Sequence, residues 1–127
     1  MIRLVLSTLL LLLLSGCLST GTPYNPDGLD KNELVTVHRT THYPHNYWLV
    51  GVNGTVLVKG WETPVAPGTH NIVWERTTVG EYMTEGRLRV TLKPNQEYRI
   101  GLLDESKLDD VSIWDIETGE VVSQRID

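Results

Sequence analysis

The densest group of chemically capable side chains is His38-x₃-His42-x₂-His45, three imidazoles within eight residues. Imidazole is a good ligand for Zn²⁺ or Cu²⁺, so His38, His42 and His45 are the candidate ligands if the chain holds a metal. The spacing works against a single ion. On an extended strand at about 3.3 Å per residue, His38 and His42 share a face but stand about 13 Å apart. One ion would need a bend between them, for which Thr40-Thr41 and Tyr43-Pro44 are the available material, and no cysteine can complete a closed site. The competing reading is an exposed strand end and loop rich in His, Tyr and Asn. Asp104, Glu105, Asp109 and Asp110 form an acidic loop. Their spacing departs from the EF-hand and no glycine supplies its sharp turn, so a solvated loop is expected. Nucleophilic catalysis needs an activated Ser or Cys beside a base. No serine sits in a Gly-x-Ser-x-Gly turn, so no catalytic residue is assigned and the chain is not read as an enzyme. His70, directly after Pro67-Gly68-Thr69, is expected to satisfy groups at that turn. Trp48, Trp61 and Tyr43 are the candidate binding residues, since aromatic faces suit sugars or peptides. Trp61, beside Gly60, is the best exposed candidate, against core or edge packing as the alternative.

The chain's one cysteine, Cys17, follows an apolar run. Arg3 supplies a short positive region, residues 4–14 are apolar apart from Ser7 and Thr8, and small residues Ser15 and Gly16 come next. That is the order of a secretory signal, and the run is too short for a spanning helix of roughly 20 residues. With no second cysteine, an internal disulfide is excluded. Leu14-Ser15-Gly16-Cys17 resembles the lipobox of bacterial lipoproteins. The resemblance implies a diacylglyceryl group on the Cys17 sulfur, cleavage before Cys17 and acylation of the new amino group. It makes residues 1–16 a signal peptide and the bound lipid the membrane attachment. No other cofactor is expected. Leu18 in place of the aspartate that retains such proteins at the inner membrane implies the outer membrane, facing the periplasm.

Removing residues 1–16 from the 127 leaves 111, enough for one modest core. Only Arg3 is charged in the removed piece, so the mature chain carries 10 basic and 16 acidic side chains, a formal charge of −6. Nucleic acid and anionic head groups attract basic clusters; none occurs here, and nucleic acid is not an expected partner. Residues 17–32 read as the lipidated cysteine and a flexible tether rich in Gly, Pro, Asn, Asp, Ser and Thr. Residues 18–32 alone could span about 50 Å fully extended, which would let the domain stand clear of the head groups.

Residues 33–127 read as the folded domain. Val35 and Val37 alternate with polar neighbours. Residues 47–52 and 55–59 flank Asn53-Gly54, a strong hairpin signal because both residues accept φ > 0. Pro64 and Pro67 exclude a central strand, and Pro67-Gly68 suits a type II turn. Ile72 and Trp74 mark the next strand; Leu88, Val90 and Leu92 alternate cleanly with Arg87, Arg89 and Thr91. After a turn at Lys93-Pro94-Asn95-Gln96, Tyr98, Ile100 and Leu102 continue the pattern. A last hairpin is expected around Thr118-Gly119, joining residues 111–116 to 120–125. With no phenylalanine in the chain, Trp74 and Tyr98 are the expected core aromatics. The fold class is all-β: a small antiparallel β-sandwich of about seven to eight short strands.

Val52-Asn53-Gly54-Thr55, Val65-Ala66-Pro67-Gly68-Thr69-His70-Asn71-Ile72 and Leu92-Lys93-Pro94-Asn95-Gln96-Glu97-Tyr98 together resemble the PEGA-like β-domains of bacterial envelope proteins. Asn53 and Asn95 stand where that family has Asp and Gly, and the spacer between the two proline turns is longer here. Residues 114–122 resemble the closing hairpin of transthyretin-like and carboxypeptidase-regulatory-like sandwiches. These resemblances imply a non-catalytic module that displays, spaces or binds. Its partner would be another envelope protein or cell-wall material. The alternative is a periplasmic lipoprotein that binds a small ligand or a metal through residues 38–45.

Overall fold

The computed structural model describes residues 20–126; the expected signal at 1–16 and Cys17 lie outside the described residues. The alternating segments form nine strands: β1 (Val35–His42), β2 (His45–Val52), β3 (Thr55–Val56), β4 (Glu62–Val65), β5 (Gly68–Thr78), β6 (Glu81–Leu92), β7 (Glu97–Leu102), β8 (Val111–Asp115) and β9 (Ser123–Ile126). Their order is β8-β7-β1-β2-β5-β6-β9, with β3 on β2 and β4 on β1. The all-β expectation holds. One layer contains β4, β1, β7 and β8, the other β3, β2, β5, β6 and β9, and β1 belongs to both. Up to Arg39 it pairs with β4 and β7, and from Thr40 onward with β2. Strands that change layer in this way make the corners of a sandwich. Here they bring the sheet close to a barrel.

Three expectations are corrected. The sheet is not wholly antiparallel, because β1 and β7 run parallel over Thr36↔Glu97 to Arg39↔Ile100. The connection between them is the whole of β2 to β6, and only a tight hairpin would force the antiparallel sense. Second, residues 111–115 and 123–126 do not form a ladder with each other. The turn at Gly119 exists and Trp114 bridges Val121, but β9 then leaves to pair with the open edge of β6. Third, the tether is not open chain along its length. Gly21 N donates to Glu62 O (2.8 Å), Tyr24 N to Pro64 O (2.9 Å) and Ala66 N to Tyr24 O (2.9 Å), with parallel bridges Thr20↔Glu62 and Tyr24↔Val65. Gly60 makes this possible: a Cβ there would lie 2.0 Å from Gly21 N.

The core lies between the layers and is built from Val35, Val37, Tyr47, Ile72, Trp74, Leu88, Val90, Tyr98, Ile100 and Ile113 among others. Trp74 and Tyr98 are buried, as expected, and Tyr47 joins them. Complete burial of side chains of this size contributes about 1.5–3 kcal/mol each. The two phenols find partners: Tyr47 donates to Leu108 O (2.8 Å) and Tyr98 Oη accepts from Lys93 N (2.8 Å). Trp74 lies over Gly86, where a Cβ would come within 2.5 Å of the indole.

Candidate functional site

Alternation along β1 points Arg39 inward with Val35 and Val37. The change of layer overrides this. Arg39 N donates to Trp61 O (2.9 Å), and the side chain sits at the corner between two indoles. Its Cζ is 3.5 Å from the Trp61 ring centroid and 4.4 Å from that of Trp48. Both distances are within cation–π range, an attraction of about 0.5–1 kcal/mol at exposed sites. Nη1 donates to Asn46 Oδ1 (2.6 Å), which also accepts from Thr41 Oγ1 (2.8 Å). Arg39 Nε is buried with no hydrogen-bond partner. Burial pushes the guanidinium pKa down from its ordinary value. Trp48 is fixed by donation from Nε1 to Thr77 Oγ1 (2.9 Å), whereas Trp61 is 60 % exposed. The result is a pinned indole, a cation and an open indole in a stack, a surface that can receive the apolar C–H face of a sugar ring or a planar group.

Of the three aromatic candidates, the fold brings Trp48 and Trp61 together and leaves Tyr43 apart. Tyr43 is at the β1–β2 turn, before a cis bond to Pro44, and is 91 % exposed. Arg39, the residue that joins the tryptophans, carries no sequence signal of its own, because its position depends on where β1 changes layer.

The histidines do not converge. His38 lies between Glu62 and Glu97, 3.7 Å from a carboxylate oxygen of each. His42 Nε2 accepts from Leu102 N (3.3 Å), which leaves Nδ1–H to donate to Glu105 Oε1 (3.0 Å). His45 Nδ1 meets Thr78 Oγ1 at 2.8 Å. Among the described residues, no three His, Cys, Asp or Glu side chains are grouped to hold a metal. The acidic loop is likewise spread among separate partners. Asp104 Oδ1 accepts from Ser106 Oγ (2.6 Å) and Ser106 N (3.0 Å), which holds its carboxyl below the ordinary value. Glu105 serves His42, and Asp109 meets Arg76 at 2.6 Å.

His70 sits at its turn as expected. Its Nδ1 is 2.9 Å from Asn53 Nδ2 and its Nε2 is 2.6 Å from Ala66 O. A neutral ring protonated on Nε2 satisfies both. The Tyr24 ring packs edge-on against it at 5.4 Å.

A cavity of about 290 Å³ opens beside Trp74, Gly86, Leu88, Asp109 and Arg125; no Ser, Cys or His lines it. No helix among the described residues is long and apolar enough to cross a membrane. No protein-family model, no curated protein and no solved structure matches the chain.

Proposed function

We propose that this chain is a bacterial envelope lipoprotein. It is held by lipid on Cys17 at the periplasmic face of the outer membrane, and its β-domain acts as a non-catalytic binding or accessory module. The observation that carries the reading is Leu14-Ser15-Gly16-Cys17 placed directly behind an apolar signal core. Leu18 supports the outer membrane as destination, and the PEGA-like turns support an accessory domain. The stack of Trp48, Arg39 and Trp61 supports a binding role, with the open indole as the surface for a cell-wall glycan or an envelope protein. The test is Cys17→Ser in the native host. The wild type is expected in the membrane fraction, cut before Cys17, with acyl chains on the first residue by mass spectrometry. The variant is expected as an uncut, unlipidated precursor. Normal processing of the variant would refute the anchor. Capture from native membranes with wild type and with Trp61→Ala then tests the module: a partner kept equally by both refutes the role of the stack.

A further inference from the structure

We infer that the domain does not hang free from its anchor but docks on the bilayer through the turns at one end. This rests on the lipid-anchor reading and adds an orientation to it. The first evidence is the length of chain available. Residues 20–24 are hydrogen-bonded along β4, so only residues 17–19 separate the attachment atom from the folded body. Three residues reach about 10 Å at most, while the head-group layer on each side of the hydrocarbon is itself about 5–7 Å thick. The domain therefore cannot stand clear of the membrane surface.

The second observation is direction. β4 runs antiparallel to β1, with Val65 opposite Val35 and Glu62 opposite His38. Going back from Tyr24 to Thr20 thus follows β1 toward its C-terminal end. Thr20 lies level with His38, so the β1–β2 turn is five residues further on, about 16 Å at 3.3 Å per residue. The anchor's reach covers most of that distance.

The third is what the turns at that end expose. His45 pairs with Thr78, and Val79 N donates to Pro44 O (3.2 Å), so the β1–β2 and β5–β6 turns stand side by side. The parallel strand β7 ends there too, with Leu102 N bonded to His42. At this end Tyr43 (91 %) and Val79 (78 %) are exposed on the two turns, Tyr82 (59 %) and Met83 (50 %) at the start of β6, and Leu103 (58 %) just past β7. Clusters of exposed apolar residues mark interaction sites, and tyrosine with aliphatic side chains is the composition that settles at the head-group boundary. Glu81, Asp104 and Glu105 flank the patch, so the contact is by apolar insertion, and salt, which screens the repulsion of these carboxylates from anionic head groups, does not weaken it.

The experiment uses the lipidated protein, in which Cys17 is occupied and one added thiol can be labelled selectively. Val79→Cys and, at the opposite end, Glu117→Cys carry an environment-sensitive dye. Each is reconstituted in vesicles of phosphatidylethanolamine and phosphatidylglycerol containing nitroxide-labelled lipid. The dye at 79 is expected to shift to the blue and lose most of its emission to the nitroxide, with no loss of quenching as salt is raised, while the dye at 117 stays water-exposed. Adding Tyr43→Ser, Tyr82→Ser and Met83→Ser removes the shift at 79 in a protein that still unfolds cooperatively. A water-exposed dye at 79 on acylated protein overturns docking and leaves the anchor standing. Shielding at 79 in native membranes but not in pure lipid also overturns it, and assigns the patch to a protein partner. Mass spectrometry showing Cys17 unmodified refutes the anchor and the docking with it.

Discussion

The turns at Asn53-Gly54 and Val79-Gly80 each set two consecutive residues at positive φ, 49° and 83° in the first, 51° and 79° in the second. Their surroundings are opposite. Asn53 accepts from Asn71 N (2.8 Å), reaches His70 (2.9 Å) and donates to Tyr24 Oη (3.1 Å). At the same end of the domain Tyr98 holds Lys93 N, and Asp115 caps its own turn through Glu117 N (2.8 Å) and Thr118 N (3.1 Å). Val79 has its backbone bond to Pro44 and a side chain in solvent. A β-branched residue is a poor occupant of the left-handed region, where Asn is tolerated. The first turn uses a residue suited to its backbone and satisfies it from within; the second accepts an unsuited residue and leaves its side chain exposed.

Removing a pin from the satisfied end should cost most. His70→Ala removes the side-chain partner of Ala66 O and one of the two partners of the Asn53 amide, and opens a cavity under Tyr24. The expected loss is about 2–4 kcal/mol, read as a lower urea midpoint at unchanged slope. A loss below about 1 kcal/mol would erase the contrast between the two ends. Val79→Asn should act in the opposite sense. It keeps the turn and relieves the left-handed strain, so stability should rise by about 1 kcal/mol, read as a higher urea midpoint. The same variant should weaken bilayer docking, separating what the valine costs the fold from what it gives the surface.

These differences decide what can be read from the residues alone. The Asn53-Gly54 turn, the alternation through Leu88, Val90 and Leu92, and burial of Trp74 and Tyr98 follow from local chemistry and are legible; at Pro67-Gly68 the chain only bends, and Gly68 already begins β5 instead of closing the expected type II turn. The Val79-Gly80 turn is not, because valine carries no turn signal; the β5–β6 ladder from Gly68↔Leu92 to Thr78↔Glu81 imposes it. The pairing of residues 20–24 is hidden by their polar, proline-bearing composition. It depends on Gly60 meeting Gly21, a contact between residues distant in sequence. Arg39 between its tryptophans is hidden for a third reason: alternation holds only while a strand stays in one layer.

The stack lies partway between the two ends, and its energetics should too. Arg39→Ala removes both ring contacts and the bond to Asn46, but it also removes a guanidinium that burial disfavours, with Nε unpaired. Attraction and desolvation largely offset, so the net cost should be about 0.5–1 kcal/mol. The tryptophan emission should change more visibly than the stability. A cost near that of His70→Ala would make the corner a structural pin and weaken the case for it as a binding surface.

Tyr43→Ser should do least to the fold. The ring is 91 % exposed and its hydroxyl has no hydrogen bond among the described residues, so neither burial nor pairing is lost. The His42↔His45 register that closes the turn involves backbone alone, and Pro44 O keeps its bond to Val79 N. The unfolding free energy should therefore stay within about 0.5 kcal/mol of wild type. Any larger fall would mean that the tyrosine braces the paired turns from outside, making this end a second, differently built version of the pinned one. A silent substitution that nonetheless lowers lipid quenching at position 79 would place the tyrosine's contribution entirely in the contact it makes beyond the domain.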